Sequence, residues 1–185
     1  MSLVRDRQAP LRRAYTQHPE QAHTRKWAKT SPHAVPLTDP LHGEVEIGHG
    51  FGTPLRIGID HAVGGFHDLP NPGDLLCAAL AACTDSTIRM AAEAFGVTLE
   101  DLQVEVTSDW DARGALGVDR HVRVGLQALD CRIHLRPASD TDPRLIEKVL
   151  AATQRYCVIL DTLRHGVEVN FDVQHAKAHD AHQSR

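Results

Sequence analysis

Residues 71–95, NPGDLLCAALAACTDSTIRMAAEAF, predict one long and mostly interior helix around which the rest of the chain is organised. Asn71 can cap its N-terminus, Pro72 fits its first turn, and Gly96 suits the position just past its end. Leucine, alanine and other apolar residues lie on nearly every face of this helix, which is typical of a helix inside a protein core.

Cys83 lies in the middle of this helix. It follows Leu76 and Leu80 at the spacing i, i+4, i+7, so it shares a face with large apolar residues. Cys77 is about 120° away around the axis, at roughly 100° per residue, and cannot share a site with it on this helix. Free cysteine is among the most buried residue types. The spacing alone therefore leaves Cys83 open as a small core residue or as a reactive thiol.

The composition is that of a soluble globular protein with one main domain. The chain has 185 residues and a net charge of −4, which gives no electrostatic reason to expect nucleic acid or an anionic membrane as a partner. No apolar run reaches the roughly 18 residues that cross a bilayer, and residues 1–10 do not resemble a signal peptide. Four cysteines without a CxxC motif form neither a disulfide framework nor a zinc site. We therefore expect a cytoplasmic protein.

Residues 1–40 are expected to form an N-terminal arm. This stretch is polar and rich in proline, which favours an extended conformation with at most a short helix over residues 11–18. Such an arm packs on a neighbouring subunit or remains a partly disordered leader. At the other end, residues 174–185 are rich in histidine and lack apolar periodicity, which predicts a disordered tail.

Residues 41–173 are expected to form the folded domain. Apolar and polar residues alternate in GEVEIGH and LRIGIDH, which predicts a hairpin. They alternate again over 102–110 and 121–136, which predicts an antiparallel pair, and over 167–173, which predicts a final strand. Between these last segments, Asp142 and Pro143 begin a second helix.

The order of these elements predicts an α+β fold, with a mainly antiparallel sheet and two long core helices. Each long helix carries one cysteine on its apolar face, Cys83 and Cys157. Helices that pack at roughly 8–10 Å can bring such side chains into contact. We expect the two other cysteines, Cys77 and Cys131, to be inert.

Three stretches of the sequence resemble the family of osmotically inducible protein C and the organic hydroperoxide resistance proteins (OsmC/Ohr). They are NPGDLLCAALAACTDSTIRMAA, the strand pair around ARGALGVD, and LIEKVLAATQRYCVILDTLRHGVEV. The leader, RQAPLRRAYTQHPE, looks like that of a divergent subgroup. The resemblance covers residues 41–173 and implies an OsmC-like fold that forms an intertwined homodimer.

The resemblance also implies a thiol-dependent peroxidase. Cys83 matches the cysteine that reacts with an organic hydroperoxide, and Cys157 matches the cysteine that resolves the product as a disulfide. An external dithiol, often lipoyl-based, then reduces that disulfide. The implied partners are a second copy of the chain, the hydroperoxide and the dithiol, with no bound cofactor or metal.

The sequence departs from the family pattern near both cysteines. Gly73 stands where the peroxidases usually place a glutamate ten residues before the reactive cysteine, which leaves Asp74 as the only nearby carboxylate. Val158 replaces the proline that commonly follows the second cysteine.

A reactive Cys83 requires a fixed cation nearby. It lies about three turns inside its helix, beyond the reach of the N-terminal helix dipole. The resemblance implies an active-site arginine from the early hairpin or loop region. Arg56 is the candidate, because it is the only arginine between Lys29 and Arg89 and its charge is permanent. Asp74 could hold this arginine or could simply stabilise the helix N-terminus. Arg56 could equally be a solvated strand residue.

Two other functions are consistent with the sequence. A non-catalytic relative could bind a small hydrophobic ligand between its helices, with the cysteines as a redox sensor or as core residues. A metal site could also form if Cys83, Cys157, His61 and His67 converged, although nothing in their spacing requires it.

Overall fold

The computed structural model describes residues 2–30, 34–48 and 51–174. Its helices, in chain order, are α1 (Leu3–Gln17), α2 (Pro72–Phe95), α3 (Ala112–Ala115), α4 (Pro143–Tyr156) and α5 (Val158–His165). Its strands are β1 (Ala28–Thr30), β2 (Gly43–Ile47), β3 (Leu55–Ile57), β4 (Leu99–Asp109) and β5 (Ala128–Pro137). The chain therefore has an α+β fold, as the sequence predicts.

The strands form two antiparallel sheets. In the first, β2 lies between β1 and β3 and pairs with both. In the second, β4 and β5 form a long ribbon in which Val106 lies opposite Cys131. The predicted hairpin and the predicted antiparallel pair are both confirmed.

Helix α2 begins with the predicted cap. The Asn71 side chain accepts hydrogen bonds from the backbone N–H groups of Gly73 and Asp74, at 2.7 and 3.2 Å. The Asp74 carboxylate accepts the Asn71 N–H at 2.9 Å, which completes a capping box. At the other end Gly96 has a φ of 72°, a left-handed conformation that glycine adopts without a steric penalty.

The core forms where α2 packs against α4, β4 and α5. Its central buried residues are Ile88, Ala92, Val97 and Val149. Partly buried residues of β4 and α4 surround them, among them Leu102, Val104 and Leu145.

Helix α2 is less buried in the single chain than the sequence predicts. Leu76, Met90 and Phe95 are 37%, 44% and 37% exposed. The helix is long and apolar enough to cross a membrane, but core helices of soluble proteins often are as well. Only 28% of its most apolar 18-residue window is buried inside the chain. The chain alone therefore leaves one face of its main core helix uncovered.

The N-terminal arm differs from the prediction, because most of its first half is the 15-residue helix α1. Glu93 of α2 accepts hydrogen bonds from the Ser2 hydroxyl at 2.8 Å and from the Val4 N–H at 3.1 Å. These bonds satisfy donors at the start of α1 and fix it to α2. Pro10 lies inside α1, so the proline content misled the sequence interpretation. Strand β1 also comes from this arm.

The predicted strands near the C-terminus are shorter or absent. Strand β5 starts at Ala128, and residues 121–127 form turns instead, with the Trp110 indole N–H donating to the Val124 carbonyl at 3.0 Å. The predicted final strand over 167–173 does not form in the single chain. Its apolar side chains, Val167, Val169, Phe171 and Val173, are all exposed. The histidine-rich tail after residue 174 lies outside the described residues.

The first sheet makes no extensive contact with α2 in the described part of the chain. His42, just before β2, connects it to the loop that leads into α2. The His42 ring lies 2.8 Å from the Asp39 carboxylate and 3.3 Å from that of Asp68. Hydrogen bonds to Asp39 and Asp68 raise the pKa of His42. The sheet is therefore joined to the body mainly through polar contacts at its edge.

Candidate thiol site

Cys157 lies at a break between two helices. Helix α4 ends at Tyr156, and Cys157 has extended backbone angles of φ −72° and ψ 106° before α5 begins. Its N–H donates to the Thr153 carbonyl and its own carbonyl accepts from Asp161, both at 3.0 Å. The sequence predicted Cys157 near the end of the second helix, followed by a short turn to Gly166, whereas the structure has the helix α5 there. Val158, where the family commonly has proline, is the first residue of α5, the position that proline favours in helices.

The helix break places Cys157 near Cys83. Helix α2 packs on both α4 and α5, and Cys83 is close enough to raise the pKa of the Cys157 thiol. Cys157 is fully buried, at 0% exposure, whereas Cys83 is only partly buried. The structure therefore places a partly exposed thiol near one that solvent does not reach.

Burial raises the pKa of the Cys157 thiol, because a thiolate is poorly stabilised away from water. The neighbouring Cys83 raises this pKa further, whereas the backbone N–H of Leu160 and the hydroxyl of Thr84 lower it. The reduced site therefore holds Cys157 as a thiol at neutral pH, with two donors placed to support its ionised form.

Thr84 connects a third cysteine to this pair. Its hydroxyl oxygen lies 3.7 Å from the Cys157 sulfur and 4.0 Å from that of Cys131 on β5. Cys131 is half-buried on the inward face of β5. The sequence interpretation missed Thr84, although a polar residue on the stripe between Leu80 and Ile88 must find a partner when it is buried. Among the described contacts, none joins Cys77 to this cluster.

The structure does not bring the other two predicted site residues to the thiols. Asp74 uses its carboxylate in the capping box of α2. Arg56 is exposed in β3, directly opposite Glu44, and makes no hydrogen bond or ion pair with the residues that the structure describes. Their roles at Cys83 remain predictions.

A cleft of about 540 Å³ lies on the other side of Cys131, between α2, β5 and α5. Two cations, Arg123 and Arg164, lie along it. Its apolar lining consists of Leu76, Leu80, Leu126, Leu129, Leu160 and Leu163. This volume is within the range of small-molecule sites.

The proposed metal ligands do not converge in the described ranges. No group of three or more histidine, cysteine or acidic side chains there could hold a metal ion. His67 lies 3.6 Å from the Asp60 carboxylate, and His61 forms part of a short 3₁₀ turn. The metal hypothesis gains no support from this geometry.

The structure is an α+β fold in which a central helix carries one cysteine and a second, buried cysteine lies between two other helices. The family model described as OsmC-like protein matches residues 65–172, more than half of the chain. The chain therefore belongs to the OsmC-like protein family, which confirms the resemblance and the fold expected from it. No curated protein matches the chain.

Solved structures show the same fold. An organic hydroperoxide resistance protein OsmC from Legionella pneumophila is 21% identical, with a TM-score of 0.56 over 77% of this chain and 90% of that one. One from Elizabethkingia anophelis is 18% identical, with a TM-score of 0.53 over 79% and 92%. An OsmC-like protein of unknown function from Vibrio cholerae is 13% identical, with a TM-score of 0.59 over 76% and 94%.

The burial of Cys157 predicts the order in which the thiols react. In the folded, reduced protein, iodoacetamide should label Cys157 more slowly than Cys77, Cys83 and Cys131, because its sulfur is inaccessible and protonated. The labelling rate of a thiol rises with pH until the thiol is fully ionised. For Cys157 this rise should continue to a higher pH than for a free thiol, since the pKa of Cys157 is raised. Peptide mass mapping over time measures each rate, with unfolded protein as the reference. Labelling of Cys157 as fast as Cys77 would contradict the structure.

Proposed function

We propose that the protein is a thiol-dependent peroxidase that reduces organic hydroperoxides, with Cys83 as the nucleophile and Cys157 as the resolving thiol. The packing of α2, which carries Cys83, on the helices that flank Cys157 supports the proposal most strongly, together with the effect of Cys83 on the pKa of Cys157. Family membership and the fold shared with two hydroperoxide resistance proteins are consistent with it.

The first step oxidises Cys83. Its thiolate attacks one oxygen of the hydroperoxide bond, which breaks as the other oxygen leaves with a proton as an alcohol. Cys83 becomes a sulfenic acid. Its partial exposure allows an organic molecule to reach it.

The second step forms the disulfide. The Cys157 thiolate attacks the sulfenic sulfur of Cys83, and hydroxide leaves and takes up a proton to form water. Because Cys157 is fully buried beside Cys83, it competes with a second hydroperoxide for the sulfenic acid and so limits over-oxidation. An external dithiol then reduces the disulfide by two exchange steps. Thiols that must return to the reduced state suit the cytoplasm.

The working form is a homodimer. Exposed apolar side chains along α2, including Met90 and Phe95, need a cover. Residues 167–173 carry apolar groups at alternate positions without a partner strand in the described chain, and such a segment pairs readily with a sheet edge. A second copy of the chain can cover the exposed apolar side chains of α2 and pair with residues 167–173 in one symmetric dimer. The first sheet, joined to its own body by few contacts, can then lie against the partner.

Arg56 acts across this dimer. Cys83 needs a cation to stabilise its thiolate and the oxygen that leaves. Arg56 is on the first sheet, which does not pack extensively on its own α2, so we assign it to the partner's Cys83. In this proposal, Asp74 orients the incoming guanidinium with the same carboxylate that completes the capping box of α2.

A ligand-binding function is the second candidate. The cleft beside Cys131 combines six leucines with two arginines, which suits an apolar molecule with an anionic group. In this alternative, the cysteines report redox state instead of turning over a substrate.

One equivalent of cumene hydroperoxide should convert the Cys83 and Cys157 thiols into one intramolecular disulfide and leave Cys77 and Cys131 reduced. Cys83→Ser should lose all turnover, because an alcohol is not ionised there. Cys157→Ser should react once and stop as a sulfenic or sulfinic acid. Cys77→Ser is the matched control and should retain activity. Mass mapping that found no oxidation at Cys83 would favour the ligand-binding function.

Mixed dimers test the assignment of Arg56. Chains carrying Cys83→Ser and chains carrying Arg56→Ala should each be inactive or slow by themselves. When the two are co-expressed with different tags and the mixed dimer is purified, one site regains both an intact Cys83 and an intact Arg56 if the arginine acts across the interface. About half of the wild-type activity per dimer should then return.

No recovery in the mixed dimer would place Arg56 in the same chain as the thiol that it activates, and full activity of Arg56→Ala by itself would place Arg56 outside the site. A compact monomer in sedimentation at micromolar concentration would contradict the homodimer itself.

A further inference from the structure

The Thr84 hydroxyl lies between two sulfur atoms in the core. It is 3.7 Å from the Cys157 sulfur and 4.0 Å from the Cys131 sulfur. Thr84 is only 3% exposed and Cys157 is 0% exposed. A buried hydroxyl needs partners for its hydrogen and its oxygen, and the described contacts of this one are to sulfur.

Thr84 differs from the other helical threonines. In the structure each of the others donates its hydroxyl hydrogen to the backbone carbonyl four residues earlier, at 2.7 to 2.9 Å: Thr16, Thr87, Thr153 and Thr162. Among the described hydrogen bonds, Thr84 makes no such bond to the Leu80 carbonyl. Its hydrogen is therefore not committed to the helix backbone.

Cys131 orients the Thr84 hydroxyl. Its thiol donates toward the Thr84 oxygen. A hydroxyl that accepts from one side still has one hydrogen to donate on another, and the Cys157 sulfur is the acceptor within reach. The three side chains thus form a short chain of donors that ends at the resolving cysteine.

We propose that Thr84 is a positioning residue that donates a hydrogen bond to the Cys157 thiolate, and that Cys131 orients it. The inference deepens the proposed function and rests on it for its catalytic consequence. It also changes the expectation for Cys131, which the sequence suggested was inert.

The bond matters because Cys157 must ionise before it can attack. A thiolate in a site without water is costly unless donors replace the lost solvent. The Thr84 hydroxyl lies 3.7 Å from this sulfur, and both it and the backbone N–H of Leu160 lower the pKa of Cys157. Removing the hydroxyl takes away one of these two effects, so fewer Cys157 thiols are ionised at neutral pH and the disulfide forms more slowly.

Few other titratable groups lie close enough to change the ionisation of Cys157. Cys83, on α2, is near enough to raise the pKa of Cys157, and in the described contacts Cys131, on β5, is linked to Cys157 through Thr84. The adjacent side chains on α4 and α5, Tyr156 and Asp161, are 65% and 66% exposed. A change in the ionisation of Cys157 after substitution of Thr84 therefore reports on this hydroxyl.

Thr84→Val, which keeps the shape and removes the hydroxyl, tests the inference. In reduced protein with ¹³C-labelled cysteine, the Cβ signal of Cys157 should titrate about one pH unit or more higher than in the wild type. After one equivalent of cumene hydroperoxide at pH 7, the disulfide should form about tenfold more slowly, and the rate profile should move to higher pH. Thr84→Ser should restore both.

Thr153→Val is the matched control, because Thr153 is equally buried and its hydroxyl bonds only to the Val149 carbonyl. An unchanged Cys157 titration in Thr84→Val, or the same shift in Thr153→Val, would overturn the inference. If the valine variant fails to fold, Thr84→Ala gives the same comparison. The titration needs no hydroperoxide, so a shift without peroxide turnover would keep the role of Thr84 and reject the proposed function.

Discussion

The packing of α2 against the corner between α4 and α5 is the contact on which the site depends. If the helix continued unbroken through residue 157, α4 and α5 would share one axis and form no corner. The break instead places the buried sulfur of Cys157 beside Thr84 and near Cys83. Burial gives this thiol protection from solvent but disfavours its ionisation. Thr84 and the Leu160 N–H offset part of that cost, which a resolving role for Cys157, as proposed, would require.

In one chain, Arg56 does not reach the thiols. The first sheet carries Arg56 but packs little on its own α2, while α2 and residues 167–173 leave apolar groups exposed. The proposed homodimer would explain both observations, because a second copy would cover the apolar surfaces and supply the cation together. The chemistry of the thiol pair and the assembly of the subunits would then be coupled, because a monomer would have the cysteines without their activating charge.

The sequence correctly predicted the features that depend on local rules, namely the ends of α2 and the antiparallel strand pairs. Asn71, Pro72 and Gly96 delimit α2 by capping preferences, and strict alternation located the antiparallel pairs. It failed where tertiary contacts override those rules. Glu93 supports α1 despite Pro10, and Val158 begins α5 without the proline that would have marked the break. The association of Thr84 with Cys131 depends on the register of β5 against α2, which periodicity along one element does not contain.

The distance between the Cys83 and Cys157 sulfur atoms tests the central claim most directly. Crystal structures of the reduced protein and of crystals treated with an organic hydroperoxide measure it in both states. The account predicts contact in the reduced form and, after treatment, a covalent bond of about 2.05 Å with both cysteines in the same chain. Sulfurs that are apart in the reduced protein, or an oxidised Cys83 beside an unreacted Cys157, would contradict it.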